Sequence, residues 1–224
     1  GHNDVVTFTG SASTGKILKS HPNILENSVP FNMEADSLNA CVLGEDVDEN
    51  SDEFSIFIKE VYREMTAKTG QKCTAVRRIL VPENKIDHVQ KALITKLEKT
   101  VIGNPENKNV KMGALASKVQ VERVKKNVEL LMQSQEKVFD NSSNLNLIDA
   151  SEEKGAFFSP ILFRNDEPFF KDAVHNIEAF GPVSTLIPYK NMEEAVELVE
   201  MGKGSLVTSF VSNDDQKSKE FVVE

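Results

Sequence analysis

Short apolar runs alternate along this chain with apolar residues spaced three or four apart, and that alternation limits the fold more than any other feature. Val5–Thr9, Arg78–Val81, Val183–Pro188 and Ser205–Val211 read as strands. Phe54, Phe57, Ile58, Val61 and Met65 recur at the helical period, so Asp52–Lys68 reads as a helix. Ile86, Val89, Leu93 and Leu97 mark a second helix, Val121, Val124, Val128 and Leu131 a third, and Met192–Met201 a fourth. Strands separated by helices need crossover connections, which set the strands parallel and cover the sheet with helices. The expected class is α/β with a mostly parallel sheet and flanking helices.

The intervening segments read less regularly. Pro30 through Val42 is strand-like or extended, Glu45–Asp52 is an acidic loop, and Ile102-Gly-Asn-Pro105 is a turn. Phe157–Phe163 reads as a strand in which Pro160 marks a sheet edge or an extended segment, because proline donates no ladder hydrogen bond. Gly181-Pro182 punctuates the entry to the next strand, and Asn141, Asn144 and Asn146 mark a polar surface loop. Asp214 stands where it would cap the last helix.

A chain of 224 residues is long enough for one large domain or one and a half. Its net charge of −9 argues against general attraction to nucleic acid or anionic membranes. Cys41 and Cys73 form neither a disulfide framework nor a zinc-ligand spacing, which points to a reduced, cytoplasmic setting. Gly1-His2 reads as a tag remnant, the first strand has no preceding unit, and Lys219–Glu224 stops inside a helical pattern. These ends lead us to expect an excised piece of a longer protein.

Four segments carry candidate chemistry. Gly70-Gln71-Lys72-Cys73-Thr74-Ala75-Val76-Arg77-Arg78 puts a cysteine at a helix-to-strand junction beside three cations, and neighbouring cations favour the nucleophilic thiolate. A lone cysteine is more often a small core residue, the reading that fits Cys41 in Ala40-Cys-Val-Leu43. Glu34 stands between Met33 and Ala35; a solitary glutamate is usually surface, but Phe31 and Met33 favour partial burial, which suits a carboxylate to general-base work. Gly10-Ser-Ala-Ser-Thr-Gly15 follows a strand and can present amides to a phosphate, or serve as a plain turn. With Lys16 it nearly spells a nucleotide-hydrolase P-loop, but Ile17 occupies the position of the magnesium-binding Ser or Thr. In Glu178-Ala-Phe180-Gly-Pro182 the carboxylate can accept ribose hydroxyls and the ring can pack on a flat cofactor, although a tight strand entry explains the same residues.

Together and in this order, these segments resemble the aldehyde dehydrogenase superfamily. Phe8-Thr-Gly-Ser11 with Gly15 resembles its coenzyme-phosphate turn, Gly70–Cys73 its nucleophile motif, and Ile102-Gly-Asn-Pro105 with Met112-Gly-Ala-Leu115 another family region. Phe157-Phe-Ser-Pro160 and Glu178–Pro182 are similar to two further signatures. The family follows its general-base glutamate with two glycines; here Ala35 and Asp36 follow Glu34. Phe31–Asn39 is similar to a branch acting in phenylacetate degradation, where the dehydrogenase is fused to a hydratase-like domain that opens an oxepin-CoA ring, and oxidises the resulting CoA-linked semialdehyde.

The resemblance implies a Rossmann-like coenzyme piece over residues 1–40 and a catalytic domain over 41–224. It implies Cys73 as nucleophile, Glu34 as general base, Glu178 on the nicotinamide ribose, Phe180 beside the ring, and Gly10, Ser11 and Gly15 near the coenzyme phosphates. NADP, or NAD, is the implied coenzyme, with a small aldehyde as substrate, no metal, and a homo-oligomer for the whole protein. The family's oxyanion asparagine and C-terminal oligomerisation segment fall outside this sequence, so the piece is expected to be inactive alone. A P-loop protein, or a non-catalytic scaffold that keeps the fold, are the other readings.

Overall fold

The computed structural model describes residues 4–223, so the tag reading of Gly1-His2 lies outside the described residues. The chain separates into two compact units, Gly1–Ser37 and Leu38–Glu224. In the first, strand β1 (Val6–Gly10), helices α1 (Ala12–Lys19) and α2 (Pro22–Glu26) and strand β2 (Phe31–Ala35) make one crossover unit. The two strands are parallel, with Thr9 opposite Glu34 and Gly10 opposite Ala35. Ser11 starts α1 by accepting the Thr14 amide at 3.4 Å. Pro22 begins α2, where its missing N–H is harmless.

The second unit runs β3 (Ala40–Leu43), α3 (Asp52–Thr66), β4 (Arg78–Pro82), α4 (Ile86–Leu97), β5 (Ile102–Gly103), α5 (Lys118–Met132), β6 (Glu136–Asp140), β7 (Leu147–Ile148), β8 (Ile161–Arg164), β9 (Val183–Tyr189), α6 (Met192–Glu200), β10 (Thr208–Val211) and α7 (Asp215–Val223). Six strands form one sheet in the order β10-β3-β4-β9-β8-β6. Every pairing in it is parallel except β6 with β8. Asp214 does cap α7, accepting the Gln216 amide at 2.7 Å.

The sheet is buried on both faces because successive residues of its central strands point to opposite layers. Cys41, Leu43, Ile79, Val81 and Leu186 pack with Phe54, Phe57, Ile58, Val61 and Met65 of α3 and Val89, Leu93 and Leu97 of α4. Ala40, Val42, Leu80 and Ile187 pack instead with Ala195 and Leu198 of α6, while Val121, Val124, Val128 and Leu131 of α5 pack with Ile161, Phe163 and Val183. Each of these larger side chains contributes roughly 1.5–3 kcal/mol by leaving water.

One expectation needs correction and another is refined. Of the two readings of Pro160, the edge is not found: β8 begins only after Pro160, leaving 157–160 outside the strand, and lies between β9 and β6. Pairing starts with the Ile161 amide on the Pro182 carbonyl at 2.9 Å, so the proline is excluded from the ladder rather than pushed to its rim. Pro30–Val42 is two strands in different units, β2 and β3, parted by Asp36 with φ of 43°.

Candidate active site

Cys73 occupies a central position of the turn closed by the Ala75 amide on the Lys72 carbonyl at 3.1 Å, and it is exposed. The chain reaches this turn through three successive residues of left-handed backbone, Lys68 (φ 52°), Thr69 (φ 57°) and Gly70 (φ 68°). Each non-glycine residue in that state costs about 1–2 kcal/mol. Local bonds offset it: the Thr69 hydroxyl reaches the carbonyls of Gly113 (3.1 Å) and Ala114 (3.2 Å). Only glycine fits at position 70, where a Cβ would lie 2.2 Å from the Gly181 carbonyl oxygen. The turn is held from below by Asn39, whose Nδ2 donates to the carbonyls of Cys73 (2.8 Å) and Ala75 (2.9 Å).

The cations flanking Cys73 are committed to other partners. Lys72 Nζ lies 2.7 Å from both carboxylate oxygens of Glu64. Arg77 and Arg78, adjacent in sequence, leave opposite sides of the chain. Arg77 Nε donates to Glu178 Oε1 at 3.1 Å, with both side chains buried. Its Nη1 donates to the Gly181 carbonyl at 2.7 Å and its Nη2 to the Gly70 carbonyl at 2.8 Å. Burial lowers the Arg77 pKa and the Glu178 charge opposes that shift. The Arg77 guanidinium carbon lies 5.5 Å from the centre of the Phe180 ring, which is itself exposed. Gln71 completes the junction, donating to the Phe180 carbonyl at 3.2 Å and accepting the Ala116 amide at 2.8 Å. Cys73, Glu178 and Phe180 thus belong to one hydrogen-bonded assembly.

Gly10, Ser11, Gly15 and Glu34 belong to the first unit. Gly15 is not in the turn after β1 but inside α1, and it is buried. A Cβ there would lie 2.3 Å from Met33 Sδ, so this glycine lets the helix close on the strands. Because α1 is already running at Ala12, residues 10–15 do not wrap a phosphate as a P-loop does. The Ala12 amide donates to Asp36 Oδ1 at 3.1 Å, placing a carboxylate where the helix N-terminus attracts anions. Glu34 projects from β2 as an exposed side chain, so the burial expected from Phe31 and Met33 is not found.

A model of the aldehyde dehydrogenase family matches residues 2–224. The chain belongs to the aldehyde dehydrogenase family. It is 42% identical over 211 residues to the 3,4-dehydroadipyl-CoA semialdehyde dehydrogenase of Aromatoleum evansii, a match covering 94% of this chain and 41% of that protein. It is 26% identical to the alpha-ketoglutaric semialdehyde dehydrogenase of Bacillus subtilis, covering 99% of this chain and 43% of the relative. The crystal structure of betaine aldehyde dehydrogenase from Staphylococcus aureus, in complex with NAD+, superposes with a TM-score of 0.83 at 24% identity. That superposition covers 98% of this chain and 41% of the other, and shows the shared fold. The chain therefore spans about two-fifths of the length of these dehydrogenases. No helix among its described residues is long and apolar enough to cross a membrane.

Two residues, Asn39 and Arg78, make buried contacts at this junction that the sequence does not reveal. Asn39, 1% exposed, grips the Cys73 turn with its amide nitrogen while its Oδ1 accepts the Val207 amide at 2.9 Å, so it ties that turn to the start of β10. The signal available in the sequence was an asparagine directly before the apolar run Ala40-Cys-Val-Leu43. Arg78 joins the residue before Asn39 to α6: Nε donates to the Leu38 carbonyl at 2.7 Å, Nη2 to Val199 at 3.1 Å, and Nη1 to Leu198. It thereby meets the carbonyl end of α6, where positive charge is stabilised. Its Nη1 also lies 3.1 Å from His175 Nδ1. Burial, with the Arg78 charge second, depresses the His175 pKa to about 4, and burial lowers Arg78 to about 10.

Proposed function

We propose that this chain carries the nucleophile of an NAD(P)-dependent dehydrogenase that oxidises a CoA-linked semialdehyde to its carboxylate. The supporting observation is Cys73, exposed on a turn clamped by Asn39 and joined through Gly70, Arg77 and Gln71 to Glu178 and Phe180. The substrate class follows the Aromatoleum evansii relative, which is named for a CoA-linked semialdehyde. In this reading residues 1–40 belong to the coenzyme-binding domain and residues 41–224 to the catalytic domain.

The Cys73 thiolate attacks the aldehyde carbon and forms a hemithioacetal, its oxyanion stabilised by the Cys73 amide. A nicotinamide coenzyme held here would supply the hydride acceptor that converts the hemithioacetal to a thioester on Cys73. Glu34, open to solvent in its own unit, takes a proton from the water that cleaves the thioester. Glu178 offers its carboxylate to the ribose hydroxyls and Phe180 an exposed aromatic face to the nicotinamide. Gly10 and Ser11, at the start of α1, form the phosphate side, with Gly15 buried within the same helix; there Asp36 Oδ1 accepts the Ala12 amide. NADP is the preferred coenzyme in this proposal, with NAD as the alternative. We further infer a reduced, cytoplasmic setting, a homo-oligomeric whole protein and no turnover by these 224 residues alone.

The test is coenzyme reduction by the full-length protein, wild type beside Cys73→Ala, with NADP or NAD and a medium-chain aldehyde or CoA-linked semialdehyde. The substitution is expected to abolish turnover while leaving the circular dichroism spectrum unchanged. Turnover that survives it would overturn the assignment of Cys73 and favour a scaffold role for this segment.

A further inference from the structure

Arg77 is a buried cation that reaches both halves of the assembly around Cys73. Its Nε holds Glu178 Oε1 at 3.1 Å, Nη1 the Gly181 carbonyl at 2.7 Å, and Nη2 the Gly70 carbonyl at 2.8 Å. Its guanidinium carbon also stands 5.5 Å from the Phe180 ring centre. One planar group thus fixes a carboxylate, an aromatic ring and the backbone on which the nucleophile turn begins. A lysine offers a point charge on a flexible stem and cannot reproduce that fork.

We propose that Arg77 is a positioning residue for coenzyme binding: it presets the Glu178 carboxylate and the Phe180 ring against the Cys73 turn. The proposal rests on the reading of Glu178 and Phe180 as coenzyme ligands given above. A glutamate gripping a ribose diol from a mobile stem loses rotamer freedom on binding. Here Asn127 Nδ2 holds the Glu178 backbone carbonyl at 2.7 Å while Arg77 holds the carboxylate. That freedom is removed before the coenzyme arrives. The bond from Nη2 to Gly70 transmits the same constraint to the turn that carries the thiol, so coenzyme and nucleophile share one reference point.

The experiment is a steady-state comparison of the full-length wild type with Arg77→Lys, Glu178→Gln and the double variant, each checked by thermal melting. Arg77→Lys is expected to raise the coenzyme KM by about tenfold or more, the loss attached to one hydrogen bond to a charged group. The aldehyde KM should stay within about twofold. In the Glu178→Gln background, Arg77→Lys should add less than about twofold to the coenzyme KM, because its effect runs through that carboxylate. If Arg77→Lys melts too low to assay, Arg77→Gln/Glu178→Gln replaces the buried ion pair by two neutral amides and is compared with Glu178→Gln alone.

An unmoved coenzyme KM in Arg77→Lys, or an effect that adds fully to that of Glu178→Gln, overturns the inference. The Cys73→Ala control separates the two levels. Activity surviving in it removes the underlying reading, whereas an inactive Cys73→Ala beside an unmoved coenzyme KM removes the role of Arg77 only.

Discussion

Gly70→Ala tests whether the close approach of two backbones holds this site together. The substitution meets two penalties. At φ of 68° an alanine occupies the left-handed region, at about 1–2 kcal/mol. Its Cβ would also lie 2.2 Å from the Gly181 oxygen, 2.5 Å from the Gly181 carbonyl carbon and 2.7 Å from the Pro182 nitrogen. Ordinary contact begins at 3.4 Å, so one backbone must retreat. Both carbonyls at this approach, Gly70 and Gly181, are held by Arg77, and the retreat breaks at least one bond to a charged donor, worth about 1.5–3 kcal/mol. The expected loss is therefore about 2.5–5 kcal/mol.

Urea unfolding followed by circular dichroism measures it, since the chain has no tryptophan to follow by fluorescence. Gly204→Ala, where nothing lies within 4 Å of the added methyl, is the control and should stay within about 0.5 kcal/mol of wild type. A Gly70→Ala protein within about 1 kcal/mol of wild type would refute the reasoning, because neither the strain nor the lost bond could then be present.

Two further outcomes follow from buried polar groups. Asn39→Ala leaves the Cys73 and Ala75 carbonyls and the Val207 amide without their side-chain partner, and should destabilise the protein by about 2–4 kcal/mol in urea titration; a loss under about 1 kcal/mol would mean the Cys73 turn does not depend on it. His175 is held neutral, its pKa depressed from 6.5 to about 4, so the unfolded state binds the proton first. The His175 contribution is full above pH 6.5 and is lost as pH falls toward 4, at up to about 1.4 kcal/mol per pH unit. His175→Gln should flatten that acid limb in urea midpoints recorded against pH; an unchanged limb would contradict it.

The sheet and its helices were legible because burial imposes a period on the sequence. Phe54, Phe57, Ile58, Val61 and Met65 could be assigned to one helix face before any contact was known, and all five are buried. Cys41 was legible as core for the same reason. Polar partnerships were not, because they depend on which loops meet. Nothing in Arg77-Arg78 says that one guanidinium turns to Glu178 and the other to His175. Lys72, adjacent to the cysteine in sequence, turns to Glu64 instead. Gly15 was misplaced because a glycine that closes a turn and one that lets a helix touch a strand look alike in sequence; the start of α1 at Ala12 decides between them. Glu34 shows the same limit on a strand, where the apolar residues beside it point to the opposite face.

The contrast between the two thiols gives the protein an internal reporter. Cys41 sits 3% exposed on β3, between β10 and β4, and burial with the nearby Glu60 and Glu64 charges pushes its pKa up to about 12. Cys73 lies open on its turn. A thiol reagent should therefore be consumed in two separated phases, one at the surface and one only when β3 comes free of its neighbours. The second phase times the opening of the sheet itself, with no label added and no residue changed.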